Sequence, residues 1–119
     1  MKFTETHEWI DVKNGVATVG VTDYAQKELG DIVYVELPKV GSAVKKAQEA
    51  VVLESTKAAA DVYAPVSGKI VAVNSTLGTK PECVNTSPEK EGWLFKMTVN
   101  DPGEFEALMD KDAYLSQLQ

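Results

Sequence analysis

Turn-forming residues recur so closely through the first two-thirds of this 119-residue chain that only short extended segments fit between them. Asn14-Gly15, Gly30, Pro38, Gly41, Pro65 and Ser67-Gly68 interrupt the apolar pattern in turn. Asn14-Gly15 tolerates positive φ at both positions, which matches the twist of a tight hairpin. It sits between "HEWIDV", in which His7, Trp9 and Asp11 alternate with Glu8, Ile10 and Val12, and "ATVGV". That spacing predicts an opening hairpin with one partly covered face. Pro38 ends "DIVYVELP" because it removes a donor from the strand ladder. "EAVVLES" and "AADVYAP" form a central extended pair, with Val51 and Leu53 facing one way and Val52 and Glu54 the other. "KIVAVN" and Trp93–Val99 supply further strands, for about seven in all.

Helical signals are few and local. Thr22 can cap a short helix over Asp23–Leu29, with Asp23 in the positive first turn and Gly30 as a left-handed C-cap. The period changes at "NDPGEFEALMDKDAYLSQL", where Asp101 caps, Pro102 opens the helix and Glu104 stands at the capping-box position. Asp110–Asp112 divides that stretch into two short helices. Asn74–Ser87 is turn-rich and weakly periodic, with Leu77, Cys83 and Val84 as anchors and Pro81 and Pro88 as restrictions. The expectation is one mainly β domain over residues 1–119, a barrel or sandwich with a short internal helix and a helical C-terminal cover. Lys45-Lys46 read as solvated strand-edge charges.

Composition removes several kinds of chemistry. Twelve Lys plus Arg against 18 Asp plus Glu give a net charge of -6, opposed to a generic grip on a phosphate backbone, so no nucleic-acid partner is expected. The one cysteine, Cys83, forms no intrachain disulfide and no CxxC pair, and the one histidine, His7, leaves the usual zinc ligand sets unfilled. No metal site is expected. No run approaches the roughly 20 apolar residues of a membrane span, and the N-terminus lacks a signal-peptide core. A cytoplasmic setting follows as an expectation, or a mitochondrial matrix if a transit peptide has been removed.

Lys57 is the residue that does not read as pure scaffold. It lies in "ESTKA" between two strand-like segments, so a hairpin presents its amine on a flexible stem clear of the sheet. A solvent-facing turn offers an amine little of the desolvation that activates a lysine as a nucleophile. That favours Lys57 as an anchor for a prosthetic arm over Lys57 as a Schiff-base nucleophile. A solvated turn lysine is the plainer alternative.

The segment "ESTKAAADVYAPVSGKIVAVN" resembles the lipoyl-attachment region of the glycine cleavage system H proteins. "THEW" at Thr6–Trp9, "GVTDYAQKELGDIVYVELPKVG" at Gly20–Gly41 and "EGWLFKM" at Glu91–Met97 resemble further segments of that family in the same order. A biotin carrier presents its lysine between methionines, whereas Thr56 and Ala58 flank Lys57. A lipoyl domain of a 2-oxoacid dehydrogenase shows D-K-A and often a Pro/Ala-rich linker, and neither occurs here.

The resemblance implies a lipoyl/biotinyl-type barrel-sandwich hybrid with lipoic acid amide-linked to Lys57. It implies a non-catalytic carrier that takes an aminomethyl group from the pyridoxal-phosphate-dependent glycine decarboxylase to the tetrahydrofolate-dependent aminomethyltransferase. The arm's dithiol would pass to dihydrolipoyl dehydrogenase, an FAD/NAD enzyme, and a lipoylating enzyme would attach the group. A monomer is expected. A lipoyl relay protein and an unmodified interaction domain on the same scaffold are the alternatives.

Family members can fold the loaded arm into a surface cleft, and the matching candidates here are Glu8, Thr6, Asp61 and His7. Glu8 is the choice for an ammonium contact, against a solvated edge-strand carboxylate. Asp61 serves the cleft, the turn or partner recognition. His7 serves packing or the arm, with packing favoured, and Trp9 and Trp93 read as hydrophobic anchors. Cys83 reads as a small buried hydrophobe. Ala64 lacks a hydroxyl found in some relatives, and Glu28 stands where some carry histidine. Glu49, Glu54 and Asp61 surround the turn with negative charge able to steer basic partners.

Overall fold

A computed structural model describes residues 1–118. Nine strands occur among them: β1 (Lys2–Phe3), β2 (Glu8–Lys13), β3 (Val16–Val21), β4 (Ile32–Glu36), β5 (Ala43–Val44), β6 (Glu49–Ser55), β7 (Ala59–Tyr63), β8 (Gly68–Val73) and β9 (Phe95–Thr98). The helices are α1 (Asp23–Leu29), α2 (Cys83–Thr86), α3 (Pro102–Glu106) and α4 (Lys111–Gln117), with a 3₁₀ turn at Ser75–Gly78. One sheet runs β1-β2-β3-β9-β8-β5 and the other β4-β6-β7, with every pairing antiparallel. This is the mainly β architecture expected. The strand count exceeds seven because β1 and β5, of two residues each, are too short to show a period.

Local chemistry sets the first hairpin. Asn14 (φ 53) and Gly15 (φ 79) both take positive φ, and Lys13 pairs with Val16 across them. On β2, however, Glu8, Trp9 and Ile10 are all buried, so both strand faces are covered rather than one. Ile10 enters the main core with Val19, Leu53, Ile70, Phe95 and Met97, all fully buried between the sheets. Trp9 faces the other way, into a smaller cluster with Phe3 and Tyr114. Its indole lies over Gly20, where an added Cβ would meet Nε1 at 2.6 Å, and Nε1 donates to the Pro88 carbonyl at 3.0 Å. Trp9 is therefore a packing anchor. Trp93 lies partly buried against the same cluster, with the Lys96 ammonium 5.1 Å from its ring.

α1 occupies Asp23–Leu29 as the capping pattern predicts, with Thr22 Oγ1 accepting from Ala25 N–H. Gly30 has φ 84 but ψ -163, so it turns the chain directly into an extended segment rather than resting in the left-handed helical well. In β4 a bulge between Ile32 and Tyr34 shifts the register, leaving Ile32 and Val35 buried and Val33 and Tyr34 exposed. Simple alternation fails there for that reason. β9 is shorter than Trp93–Val99 because pairing begins at Phe95 and ends at Thr98. Lys45 and Lys46 are exposed in the turn after β5, not on a strand edge. The Asn74–Ser87 stretch acquires the 3₁₀ turn and α2, which bury Leu77 and Val84, while Cys83 is only partly buried.

The C-terminal cover consists of α3 and α4, divided at Asp110, whose carboxylate accepts from Ala113 N–H at 2.9 Å. Asp101 caps α3, but Glu104 does not close a capping box. Its carboxylate instead accepts from Ser67 N–H at 2.7 Å and Ser67 Oγ at 3.1 Å, pinning α3 to the turn before β8. Tyr114 anchors α4. Its ring stacks on Phe3 at 4.9 Å, and its hydroxyl bonds Thr22 Oγ1 at 2.7 Å and His7 Nδ1 at 2.8 Å.

Burial raises the Tyr114 pKa above 10.0, partly offset by the Thr22 hydrogen bond. A phenol whose folded pKa is raised stabilises the fold below its unfolded pKa, and that contribution is lost as pH rises through the folded value. Tyr114→Phe is expected to cost about 1–2 kcal/mol at neutral pH. In urea titrations the gap between wild type and variant should close above pH 10.0; a gap independent of pH would contradict this anchoring role.

Candidate functional site

The β6–β7 hairpin presents Lys57 at its tip. Ser55 closes the turn: its N–H donates to the Ala58 carbonyl at 2.8 Å, and its Oγ accepts from Lys57 N–H and Ala58 N–H, both at 3.1 Å. The same hydroxyl donates to the Ala58 carbonyl at 3.1 Å. These bonds satisfy backbone groups that a two-stranded ladder leaves open at its end. Thr56 N–H donates outside the hairpin, to the Asp31 carbonyl at 3.0 Å. The Lys57 stem leans toward Gly30, where an added Cβ would lie 3.0 Å from Cε. Lys57 is exposed, and no carboxylate pairs with its amine within 4.0 Å among the described residues, where the ion pairs are Lys27–Asp23 and the N-terminus with Asp11.

At the other end of β7 lies a cleft of about 580 Å³. Its walls come from the N-terminal turn (Thr4, Thr6, Glu8), from the end of β7 (Tyr63, Ala64) and from the helical cover (Leu108, Met109). Glu8 is 2% exposed, so the solvated edge-strand reading is overturned. Residues 4–8 curl as a turn, with His7 N–H on the Thr4 carbonyl at 3.2 Å and Thr4 N–H on the Glu8 carbonyl at 3.0 Å. That curl brings two hydroxyls onto one carboxylate oxygen: Thr4 Oγ1 donates to Glu8 Oε1 at 2.5 Å and Thr6 Oγ1 at 2.6 Å. Tyr63 N–H donates to Oε2 at 3.3 Å. The carboxylate is thus held by three neutral donors and no cation. A positively charged group entering the cleft would gain a charge-assisted hydrogen bond in a shielded setting.

The four arm candidates separate in space. Glu8 and Thr6 meet in this cleft. Asp61 lines a different groove, with Glu36, Leu37 and Glu49. His7 has φ 75, and its ring packs 4.7 Å from Tyr24 and bonds Tyr114, so its visible role is to tie the cover to the N-terminal turn. Sequence reasoning missed Thr4, Tyr63 and Lys46 as lining residues. Thr4 carried a usable signal, since Thr4, Thr6 and Glu8 share one parity. The Tyr63 N–H and Lys46 carried none, because their place follows from the packing of distant strands.

The model of the family described as "Glycine cleavage H-protein" matches residues 1–119. The chain is 59% identical over 113 residues to the glycine cleavage system H protein of Thermotoga maritima, covering 95% of this chain and 91% of that protein. It is 52% identical over 119 residues to the probable glycine cleavage system H protein of Aeropyrum pernix, covering 100% of this chain and 83% of that one. Among solved structures, a glycine cleavage system H protein from Mycobacterium marinum superimposes with a TM-score of 0.87 at 35% identity, covering 98% of this chain and 94% of that chain. This chain belongs to the glycine cleavage H-protein family.

The family membership agrees with the motif resemblance, and the two packed sheets fit the barrel-sandwich hybrid it implied. In this H-protein chain the exposed lysine and the carboxylate-backed cleft stand at opposite ends of β7. Six residues of extended chain separate Lys57 from Tyr63, or at most about 20 Å at 3.3 Å per residue.

Ser55→Ala should cost less than about 1 kcal/mol of global stability, because water can replace the lost bonds at an exposed turn. Hydrogen exchange at the Lys57 and Ala58 amides should accelerate, while the β3 and β9 amides keep their protection. Unaltered exchange at residues 57 and 58 would show that the Ser55 hydroxyl does not hold the tip.

Proposed function

We propose that this chain, as one domain over residues 1–119, carries lipoic acid on Lys57 Nζ as the H protein of the glycine cleavage system. The observation that carries the reading is the exposed Lys57 at a hairpin tip closed by the Ser55 hydroxyl, within the family's attachment motif. The residues present fit the group: the amine pairs with no carboxylate among the described residues, and a cleft of about 580 Å³ lies along the same hairpin. When bound, the lipoyl group supplies a dithiolane that takes up an aminomethyl group and electrons, chemistry a chain with one cysteine lacks.

The protein's own residues hold and shelter. Acylation removes the Lys57 charge, and the hairpin keeps the attachment point clear of the sheet. Glu8 accepts a hydrogen bond from an ammonium brought into the cleft, with Thr4 and Thr6 fixing the orientation of its carboxylate. Ala64, Pro65, Leu108 and Met109 exclude water around that contact. Asp61, in its groove with Glu36 and Glu49, serves partner recognition. His7 supports the cleft indirectly, through the Tyr114 anchor of the helical cover.

The chain is a carrier without turnover of its own, a monomer that meets glycine decarboxylase, aminomethyltransferase, dihydrolipoyl dehydrogenase and a lipoylating enzyme in succession. A cytoplasmic setting belongs to the same proposal and draws on prokaryotic relatives. No helix among the described residues is long and apolar enough to cross a membrane.

Reconstitution tests the reading. Lipoylated wild type should support glycine-dependent loading by glycine decarboxylase, and Lys57→Arg should support none. Lipoyl transfer to an acceptor domain without glycine-dependent loading would favour the relay alternative and contradict the proposal. Glu8→Gln should be lipoylated normally yet release its one-carbon unit to water roughly tenfold faster, the equivalent of one charge-assisted hydrogen bond of about 1.5 kcal/mol. Equal release rates would remove Glu8 from the sheltering role.

A further inference from the structure

The hairpin tip rests on a segment to which one distant side chain makes two backbone hydrogen bonds. Gly30–Ile32 forms a short strap leading from α1 into β4, and it meets the tip at each residue: the Asp31 carbonyl accepts Thr56 N–H, Gly30 faces the Lys57 stem, and Ile32 pairs with Ser55. The strap lies outside any strand pairing at Gly30 and Asp31. Its ends are held by the Gly30 N–H bond to the Gln26 carbonyl at 3.0 Å and by the burial of Ile32, and both are joined by Asn85 on α2, which is 53 to 55 residues away in sequence. Asn85 Oδ1 accepts from Ile32 N–H at 2.8 Å, and Nδ2 donates to the Gly30 carbonyl at 2.8 Å. The remaining Nδ2 hydrogen goes to Gln26 Oε1 at 3.0 Å. Only this amide orientation satisfies all three contacts, because the Ile32 partner is a donor and the Gly30 partner an acceptor.

Asn85 therefore brackets Asp31 from both sides. The residue between its two backbone contacts is the one whose carbonyl supports the lysine turn. Gly30 adds a steric condition. A side chain at residue 30 would press on Lys57 Cε at 3.0 Å, and φ 84 with ψ -163 is a conformation open to glycine alone. Nothing about α2 as a short helix of four residues requires an amide at position 85 for its own sake, and the side chain spends every donor on α1 and the strap.

We propose that Asn85 is a positioning residue for the modified lysine: it fixes the Gly30–Ile32 strap as a seat for the Thr56–Lys57 turn, so that an attaching or partner enzyme meets the stem in one orientation. The proposal rests on Lys57 as the attachment site, but the seat itself is testable without the lipoyl group. Orientation of the attacking amine enters the rate directly, since a reacting group held in place needs less ordering at the transition state.

The test uses hydrogen exchange and lipoylation kinetics on the full chain. Asn85→Leu keeps the branching and heavy-atom count of the side chain, at a larger volume, and removes all three bonds. Asn85→Asp keeps the acceptor for Ile32 N–H, loses both donors and sets an oxygen against the Gly30 carbonyl, and it serves if the leucine variant fails to fold. Ile70→Ala, fully buried on β8 and paired with Met97 rather than with the strap or Phe95, is the control for general destabilisation. For either Asn85 variant, exchange at the Thr56 amide should quicken at least tenfold relative to the Phe95 amide, and kcat/KM for lipoylation should fall at least fivefold. Ile70→Ala should leave the Thr56-to-Phe95 ratio and the lipoylation rate within twofold of wild type. A proportional rise at Thr56 and Phe95 in the Asn85 variants would reduce Asn85 to a structural residue and overturn the proposal, as would loss of Thr56 protection with unchanged lipoylation. Absence of lipoylation in wild type would instead overturn the carrier reading, while the Thr56 exchange ratio would still decide whether Asn85 holds the seat.

Discussion

A hairpin tip has no sheet beyond it, so the direction of Lys57 depends on bonds borrowed from other parts of the chain. Here the decisive bond is from Thr56 N–H to the Asp31 carbonyl, made outside the β6–β7 ladder. The Ser55 hydroxyl closes the turn from within, and the strap steadies it from without. A lysine on a two-stranded ribbon alone would sweep a wide range of directions, since isolated hairpins are only marginally ordered in water. Docked on the strap, the same residue gains a defined position, as the proposed attachment of a long arm requires.

The second organising constraint is the buried Glu8 carboxylate. Burying a charge costs much unless it is paired or well hydrogen-bonded. Three neutral donors meet that demand without a cation, and they join the N-terminal turn to the end of β7, while the helical cover lines the same cleft. The Tyr114 hydroxyl links two of those parts, because it bonds both His7 and the residue that caps α1. One anchor consequently serves the cleft wall and the helix that leads to the strap.

Much of this was legible because it is local. Thr22 with Asp23–Leu29, Asn14-Gly15 and the alternation of Val51 and Leu53 each declare their structure within a few residues. Lys57 stood out for the same reason, as a lysine between two strand-like runs. What was illegible depends on partners far along the chain. Glu104 satisfied every local rule for a capping box, yet its carboxylate reaches Ser67. Glu8 could be chosen for a cleft from its motif, but its burial, which two hydroxyls of the turn before it make tolerable, could not be read there. Asn85 sat in a weakly periodic stretch, with nothing nearby to suggest that it holds Gly30 and Ile32.

The family assignment and the physical reading meet at a single side chain, since a carrier poor in thiols and imidazoles needs an attached group to do chemistry. The most direct test is the intact mass of the wild-type chain and of Lys57→Arg after expression with a lipoylating enzyme and lipoic acid, followed by peptide mapping. The account predicts one added lipoyl group on wild type, mapped to the peptide containing Lys57, and no added mass on the variant. An unmodified wild type, or a lipoyl group that persists in Lys57→Arg, would contradict it.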